Sequence, residues 1–215
     1  METELKLRFE SEKEMMDVLS REWFVDIVLP DSEKTMFFDT LYFDTKDQLL
    51  RSIGASVRIR EVKNSHYIHT VKIGGTCRDG LHQRYEWNFD TDSTVFDAEA
   101  FLVGAVSDGD PLEVLIEAFD TITGKELVEI CRTSFERTLS LVGFGDSLIE
   151  ICLDSGTLYA KSRKEHICEM EVELKQGDVR DVLALGDEII AHTGAIPDNR
   201  GKYARCLMLL DDMNE

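Results

Sequence analysis

Apolar and polar residues alternate with a period of two along much of this chain, the period of a half-buried strand. The first such stretch is 2–9, where Leu5, Leu7 and Phe9 share one face and Glu2, Glu4, Lys6 and Arg8 the other. The aromatic run 35–44 (TMFFDTLYFD) and the segments 56–62, 66–73 and 82–90 also read as strands. Gly74-Gly75 and Asp79-Gly80 read as turns between the last two. After a break, 127–142, 147–153, 157–160 and 166–175 return to strands. Helical spacing marks 11–23, where Ser11 and Glu14 form a capping box and Met15, Met16, Leu19 and Trp23 an apolar stripe. It also marks 97–106, 111–120 with Pro111 at the first helical position, 178–192 capped by Asp178, and 201–210. Without a linker, repeat or low-complexity segment, 1–215 reads as a single domain. Many strands and few helices predict an α+β fold, a closed eight-stranded antiparallel β-barrel with helices packed on the outside.

The polar faces carry the chemistry. On one strand alone, Glu2, Glu4 and Lys6 would read as a solvated face. The pattern recurs, however, and it is sorted by sign. Arg58 and Arg60 alternate with Val57 and Ile59, and Lys72 sits between Val71 and Ile73. Arg84 and Glu86 alternate with Tyr85 and Trp87, and Arg137 shares a face with Phe135. Glu150 and Asp154 share a parity, and Glu169, Glu171 and Glu173 alternate with Met170, Val172 and Leu174. Three glutamates on one strand face repel one another. A hard divalent ion, Mg²⁺ or Mn²⁺, neutralises such a cluster through carboxylate oxygens. Arginine forks and lysine point charges suit phosphate oxygens. An eight-stranded barrel has room inside for one small ligand. With the charged faces inward, these strands would enclose a metal–polyphosphate complex, and the helices would cover the apolar outer faces.

Composition changes this picture in three places. A net charge of −19 argues against nucleic acid and against an anionic membrane as partner. It also requires the positive charge to be concentrated inside, since polyphosphate is itself an anion. Five cysteines, an odd number without C-x-x-C spacing, predict reduced thiols in a cytoplasmic protein rather than a disulfide framework or zinc site. The start METELKLRFESEKE is charged from its second residue, unlike a signal peptide, and no apolar run is long enough for a membrane helix. Gly124-Lys125 reads as a turn, because Phe119 stands where a P-loop needs glycine. His66, His69 and His82 read as exposed or core histidines, and Asp39 and Asp44 as turn caps.

Taken in order, the charged segments resemble the CYTH domain, or triphosphate tunnel metalloenzyme superfamily. Its E-x-E-x-K signature is met by Glu2, Glu4 and Lys6, and VRIRE, TVK, QRYEW, SFER, IEICLDSG and CEMEVEL follow. GKYARC is similar to the family's closing S-K-x-x-R-G, with Gly201 in place of the serine and Cys206 in place of the glycine. The resemblance runs from residue 2 to about 206. GLHQRYEW, IEICLDSG and ICEMEVELKQGDVR look most like bacterial inorganic triphosphatases, here expected without the helical CHAD domain that often follows. The His-Phe pair usual in class IV adenylate cyclases is absent.

The resemblance implies hydrolysis of inorganic triphosphate to pyrophosphate and phosphate. Glu2, Glu4, Glu169 and Glu171 would hold Mg²⁺ or Mn²⁺. Lys6, Arg58, Arg60, Lys72, Arg84, Arg137 and Lys202 would hold the triphosphate, with Lys72, Glu169 and Glu171 in catalytic roles. Glu86, Glu150, Asp154 and Glu173 would further line the tunnel. Thiamine triphosphate, nucleoside triphosphates, ATP cyclisation, and a polyphosphate- or nucleotide-binding module without turnover stand as alternatives. A homodimer is left open.

Overall fold

A computed structural model of the chain describes residues 1–63 and 66–211. Eight antiparallel strands carry the alternating segments: β1 (Glu2–Arg8), β2 (Lys34–Thr45), β3 (Ala55–Lys63), β4 (His66–Arg78), β5 (Leu81–Thr91), β6 (Leu127–Phe144), β7 (Ser147–Ala160) and β8 (Arg163–Gln176). They pair in the order β5-β4-β3-β2-β6-β7-β8-β1, and β1 returns to β5 with Glu2 opposite Arg84. That last pairing closes the barrel. A two-residue strand, β9 (Ile196–Pro197), extends β1 beside Leu7 and Arg8.

The helices are α1 (Glu12–Asp17), α2 (Glu22–Val25), α3 (Leu49–Ser52), α4 (Ala98–Gly104), α5 (Leu112–Ile122), α6 (Val179–Thr193) and α7 (Lys202–Asp211). Most lie outside, where they cover the apolar strand faces. Leu5, Leu7, Ile149, Ile151, Met170 and Val172 pack with Met15, Phe24, Val182, Leu185 and Ile189 of α1, α2 and α6. Val57, Val71 and Trp87 pack with Phe101, Leu115 and Phe119 of α4 and α5. Each fully buried side chain of this size stabilises the fold by about 1.5–3 kcal/mol. Because strand parity sends alternate residues to opposite faces, this external core forces the charged residues inward.

Helix α7 departs from the expected outside packing. Its Cys206 and Leu210 pack with Phe38, Phe135, Leu158 and Ile167. Phe135 shares its parity with Arg137, and Ile167 with Glu169, so these are inward faces. Cys206 is moreover disulfide-bonded to Cys131 of β6, 75 residues away in sequence. This corrects the expectation of reduced thiols. Spacing along the chain says nothing of a pair that the barrel and its terminal helix bring together. Cys77, Cys152 and Cys168 are free.

Other boundaries shift for local reasons. The 11–23 helix starts as expected, with Ser11 accepting from the Glu14 N–H at 3.2 Å, but a 3-10 turn at Val18–Ser20 divides α1 from α2. Helix α4 stops at Gly104, because Val106 exchanges backbone bonds with Asn88. Pro111 is the residue before α5 rather than its first. Gly74-Gly75 is a bulge inside β4, with φ of 59° and 101°, and only Asp79-Gly80 turns the chain. Asp44 is buried and accepts from the N–H groups of Leu50 and Arg51, so it caps the unanticipated α3, whereas Asp39 pairs with Arg132 near the surface. Among the described residues, no helix is long and apolar enough to cross a membrane.

The segments 147–153 and 157–160 form one strand that runs on through Gly156. A Cβ there would sit 2.3 Å from the Ser134 carbonyl oxygen and 2.5 Å from Phe135 Cα on β6. Gly156→Ala is therefore expected to lower stability by about 1–3 kcal/mol through overpacking. Urea unfolding reads this directly, and an unchanged midpoint would show that β6 and β7 part without cost.

Candidate active site

The barrel encloses a cavity of about 390 Å³. Its wall includes Glu2, Glu4 and Lys6 of β1, Arg58 and Arg60 of β3, Lys72 of β4, Arg84 and Glu86 of β5, Arg137 of β6, Glu171 and Glu173 of β8, and Lys202 of α7. Register explains the neighbourhood. Lys72 lies opposite Glu86, Arg137 opposite Asp154, Lys6 opposite Glu171, and Glu4 opposite Glu173. Residues directly opposed across an antiparallel pair share a face.

Three electrostatic groups result. In the first, Asp154, Glu169 and Glu171 bring one oxygen each within 4.8 Å of one another. Lys202 reaches all three, at 2.6, 2.6 and 3.0 Å. Lys6 holds Glu169 at 3.0 Å and also bonds Glu171. Arg137 forks onto Asp154 and reaches Glu171, and Arg205 meets Glu169 at 2.7 Å. Burial pushes the Glu169 carboxyl up, but Lys202 and Lys6 outweigh it and hold it at about 2.

The second group lies on the β1–β5 side. Lys72 bridges Glu2 at 2.6 Å and Glu86 at 2.5 Å, and Arg84 meets Glu4 at 2.7 Å. Here the acids are unevenly served: against their burial, Lys72 and Arg58 hold Glu86 well below its ordinary value, and Lys6 and Arg84 lower Glu4. Burial, assisted by Glu4 and Glu86 and opposed by Lys72, pushes the Glu2 carboxyl up to about 7. Burial also raises Glu173, with Glu150 and Glu4 adding to the effect against Lys175.

The third group is Arg58 and Arg60. Among the described residues, neither guanidinium has a carboxylate within ion-pair distance. The buried Arg58 Nε has no hydrogen-bond partner. Arg60 bonds Thr40 at 3.2 Å and lies 4.3 Å from the Phe38 ring centroid. Burial, together with repulsion from Arg58 and Arg137, pushes Arg60 down to about 9. Glu86 and Glu2 act on Arg58 only from beyond ion-pair distance, so two cations without a contacting carboxylate face the cavity, an arrangement suited to an anion.

The structure thus brings most of the sequence-predicted residues to one wall. Glu169 and Asp154 stand behind it, fully buried. Glu150 lies opposite Glu173 on the same inward face but outside the cavity wall. Sequence reasoning passed over Arg205, which shares a helix face with Lys202 three residues before it, and Lys175, which shares parity with Glu173. Tyr42, opposite Arg58 in register, and Tyr203 also line the cavity. The histidines sit elsewhere: His69 and His82 are buried against the carbonyls of Ser93 and Asp198, and His66 pairs with Asp90.

Comparison with known proteins agrees with this geometry. A match to the CYTH domain covers residues 1–203. The inorganic triphosphatase of Haemophilus influenzae is 30% identical over 149 residues, which is 69% of this chain and 39% of that protein. The chain therefore matches well under half the length of that relative. A Hippeastrum protein, studied as a candidate adenylyl cyclase and described with a dominant triphosphatase activity, superposes with a TM-score of 0.61 at 19% identity, over 95% of this chain and 94% of that one. A candidate adenylate cyclase from Bacillus halodurans gives 0.59 at 18%, over 95% and 96%. At these identities the two structures speak for the fold alone.

Proposed function

The chain belongs to the CYTH domain family, and from that premise we propose that it hydrolyses inorganic triphosphate to pyrophosphate and phosphate with Mg²⁺ or Mn²⁺. The observation that carries this reading is the Arg58–Arg60 pair, one half-buried and one buried cation in the cavity that lack carboxylates within ion-pair distance among the described residues. Lys72, Arg84, Arg137 and Lys202 extend that positive surface around a polyanion. The 30% identical inorganic triphosphatase supports the same substrate.

The carboxylates fit a hard cation, and their neighbours favour one end. Asp154, Glu169 and Glu171 already serve four cationic side chains, so a divalent ion among them would face Lys6, Arg137, Lys202 and Arg205. Glu2 and Glu173 are undercompensated, as their raised carboxyls indicate, whereas Lys6 and Arg84 hold Glu4 below its ordinary value against its burial. Glu2 and Glu173, with Glu4 beside them, would hold the ion once it draws their carboxylates together, since only Asp154, Glu169 and Glu171 are already clustered among the described residues; Glu169 and Glu171 orient Lys6 and Lys202. Bound there, the cation would supply charge neutralisation and polarise water. Phosphoryl transfer of this kind needs positioning and electrostatics more than covalent chemistry. Arg58, Arg60 and Arg137 hold the chain of phosphates. A water oxygen bonds to the terminal phosphorus and gives up its proton to solvent while the bridging P–O bond breaks, and that bond's electron pair leaves with pyrophosphate, which Lys72 stabilises.

The wall also favours inorganic triphosphate over nucleotides. Ile68, Tyr42 and Tyr203 are its few apolar members, and the two tyrosine rings spend a face on each other, 5.6 Å apart at 19°. A base therefore finds little surface to stack on. Phosphate release from triphosphate, ATP and thiamine triphosphate tests the proposal. Triphosphate should turn over fastest, a chelator should abolish release, and Mg²⁺ or Mn²⁺ should restore it. Binding of triphosphate without metal-dependent release from any of the three would overturn the enzymatic reading.

A further inference from the structure

Helix α7 meets β6 at two points on one face. Lys202 and Cys206 are four residues apart, about one turn and about 6 Å along the helix, so they point the same way. Lys202 Nζ lies 4.9 Å from the Phe135 ring centroid while it donates to Asp154, Glu169 and Glu171. Cys206 is bonded to Cys131, four residues before Phe135 on the same inward face of β6. The disulfide therefore fixes the segment of α7 that delivers Lys202 to the cavity. The other ties of α7 are non-covalent: Tyr203 donates to Asp44 at 3.2 Å, Arg51 forks onto Asp211, and Arg205 reaches Glu165 and Glu169. The Arg51–Asp211 pair is partly exposed, where ion pairs contribute little.

We propose that the Cys131–Cys206 disulfide is a redox-sensitive latch that positions Lys202 in the anion site. A dithiol reductant breaks the S–S bond to two thiols, supplies two electrons and two protons, and closes to its own disulfide. With the latch open, only the non-covalent ties hold α7. Lys202 then occupies the cavity for a smaller fraction of the time, and affinity for triphosphate falls. Both cysteines are buried, so reduction is slow and follows opening of the helix.

The proposal rests on the proposed triphosphate site for its kinetic readout, and a second readout is independent of it. The oxidised protein and the same protein reduced with dithiothreitol are compared, with free thiols counted by alkylation and mass spectrometry. Reduction is expected to raise KM for triphosphate by about fivefold or more with little change in kcat, and to speed amide exchange across 202–211. The Cys131→Ser/Cys206→Ser double variant should behave as the reduced protein before and after dithiothreitol, while Cys77→Ala should switch as the wild type does. Equal KM and equal exchange with the disulfide verified open would overturn the latch, and so would a full set of free thiols under oxidising conditions. If neither form turns triphosphate over, exchange across α7 still decides: faster without the bond supports the latch, and unchanged rejects it.

Discussion

Arg58→Ala is expected to lower kcat/KM for triphosphate by about 10²–10³-fold, the loss typical of one preorganised charge-stabilising donor, while the protein stays folded. The second half of that expectation is what gives the experiment its force. Most cations of this barrel cannot be removed cleanly, because each leaves an acid behind: Arg137→Ala would take the two-pronged partner from Asp154, which is completely buried, and leave it Lys202 alone. Arg58 has no such partner among the described residues, and its buried Nε is unbonded. Its removal breaks no ion pair or hydrogen bond among those residues, and the cost is confined to the nearby charge that Glu86 and Glu2 lose. The melting temperature should fall only slightly as activity collapses. Arg58→Lys should recover only part of the activity, since an ammonium keeps the charge but loses the planar fork. An undiminished kcat/KM in Arg58→Ala would remove the arginine pair from substrate binding and with it the main support for the proposed activity.

How much of this was legible in the sequence follows from the physics of strands. Parity is local, so the inward faces of β1, β3, β5 and β8 could be read one strand at a time from Glu2, Arg58, Arg84 and Glu171. That these faces point into a barrel rather than to water needed the recurrence of the pattern and helices enough to cover the apolar side. What stayed hidden is non-local. Lys202 was placed by resemblance, because nothing in helical periodicity tells that α7 packs on inward faces. Arg205 went unnoticed for the same reason, although it shares a face with Lys202. The Cys131–Cys206 bond joins elements that only the closed barrel brings together. The break between 147–153 and 157–160 vanishes because sequence does not show β6 lying against Gly156. The balance of charge was also invisible: only side-chain geometry shows Glu169 crowded by Lys202, Lys6 and Arg205, and Arg58 left without a partner.

Lys6→Met tests that balance from the side of stability, and its expected cost is about 3–5 kcal/mol, the usual result of breaking a buried ion pair by removing one partner. Lys6 is 2% exposed and bonds Glu169 and Glu171, with Glu4 3.9 Å away. In a chain of this size the loss corresponds to a fall in Tm of about 6–20 °C. The pH dependence should change as well. In the metal-free wild type, the folded Glu169 carboxyl is held at about 2, below its ordinary value of 4.5. A depressed carboxylate contributes stability that is fully present above the unfolded pKa and disappears as pH falls through the folded one. That contribution is lost between about pH 4.5 and pH 2. Without Lys6 the folded carboxyl rises, the contribution shrinks, and acid unfolding should begin at higher pH. Adding Glu171→Gln removes one of the stranded charges, so the Lys6→Met/Glu171→Gln double variant should regain part of the lost Tm. Thermal melts in chelator from pH 2 to pH 7 measure both effects. A Lys6→Met protein with wild-type Tm and wild-type acid midpoint would mean that Lys202, Arg137 and Arg205 neutralise this cluster without it, and that Lys6 is free to serve the ligand.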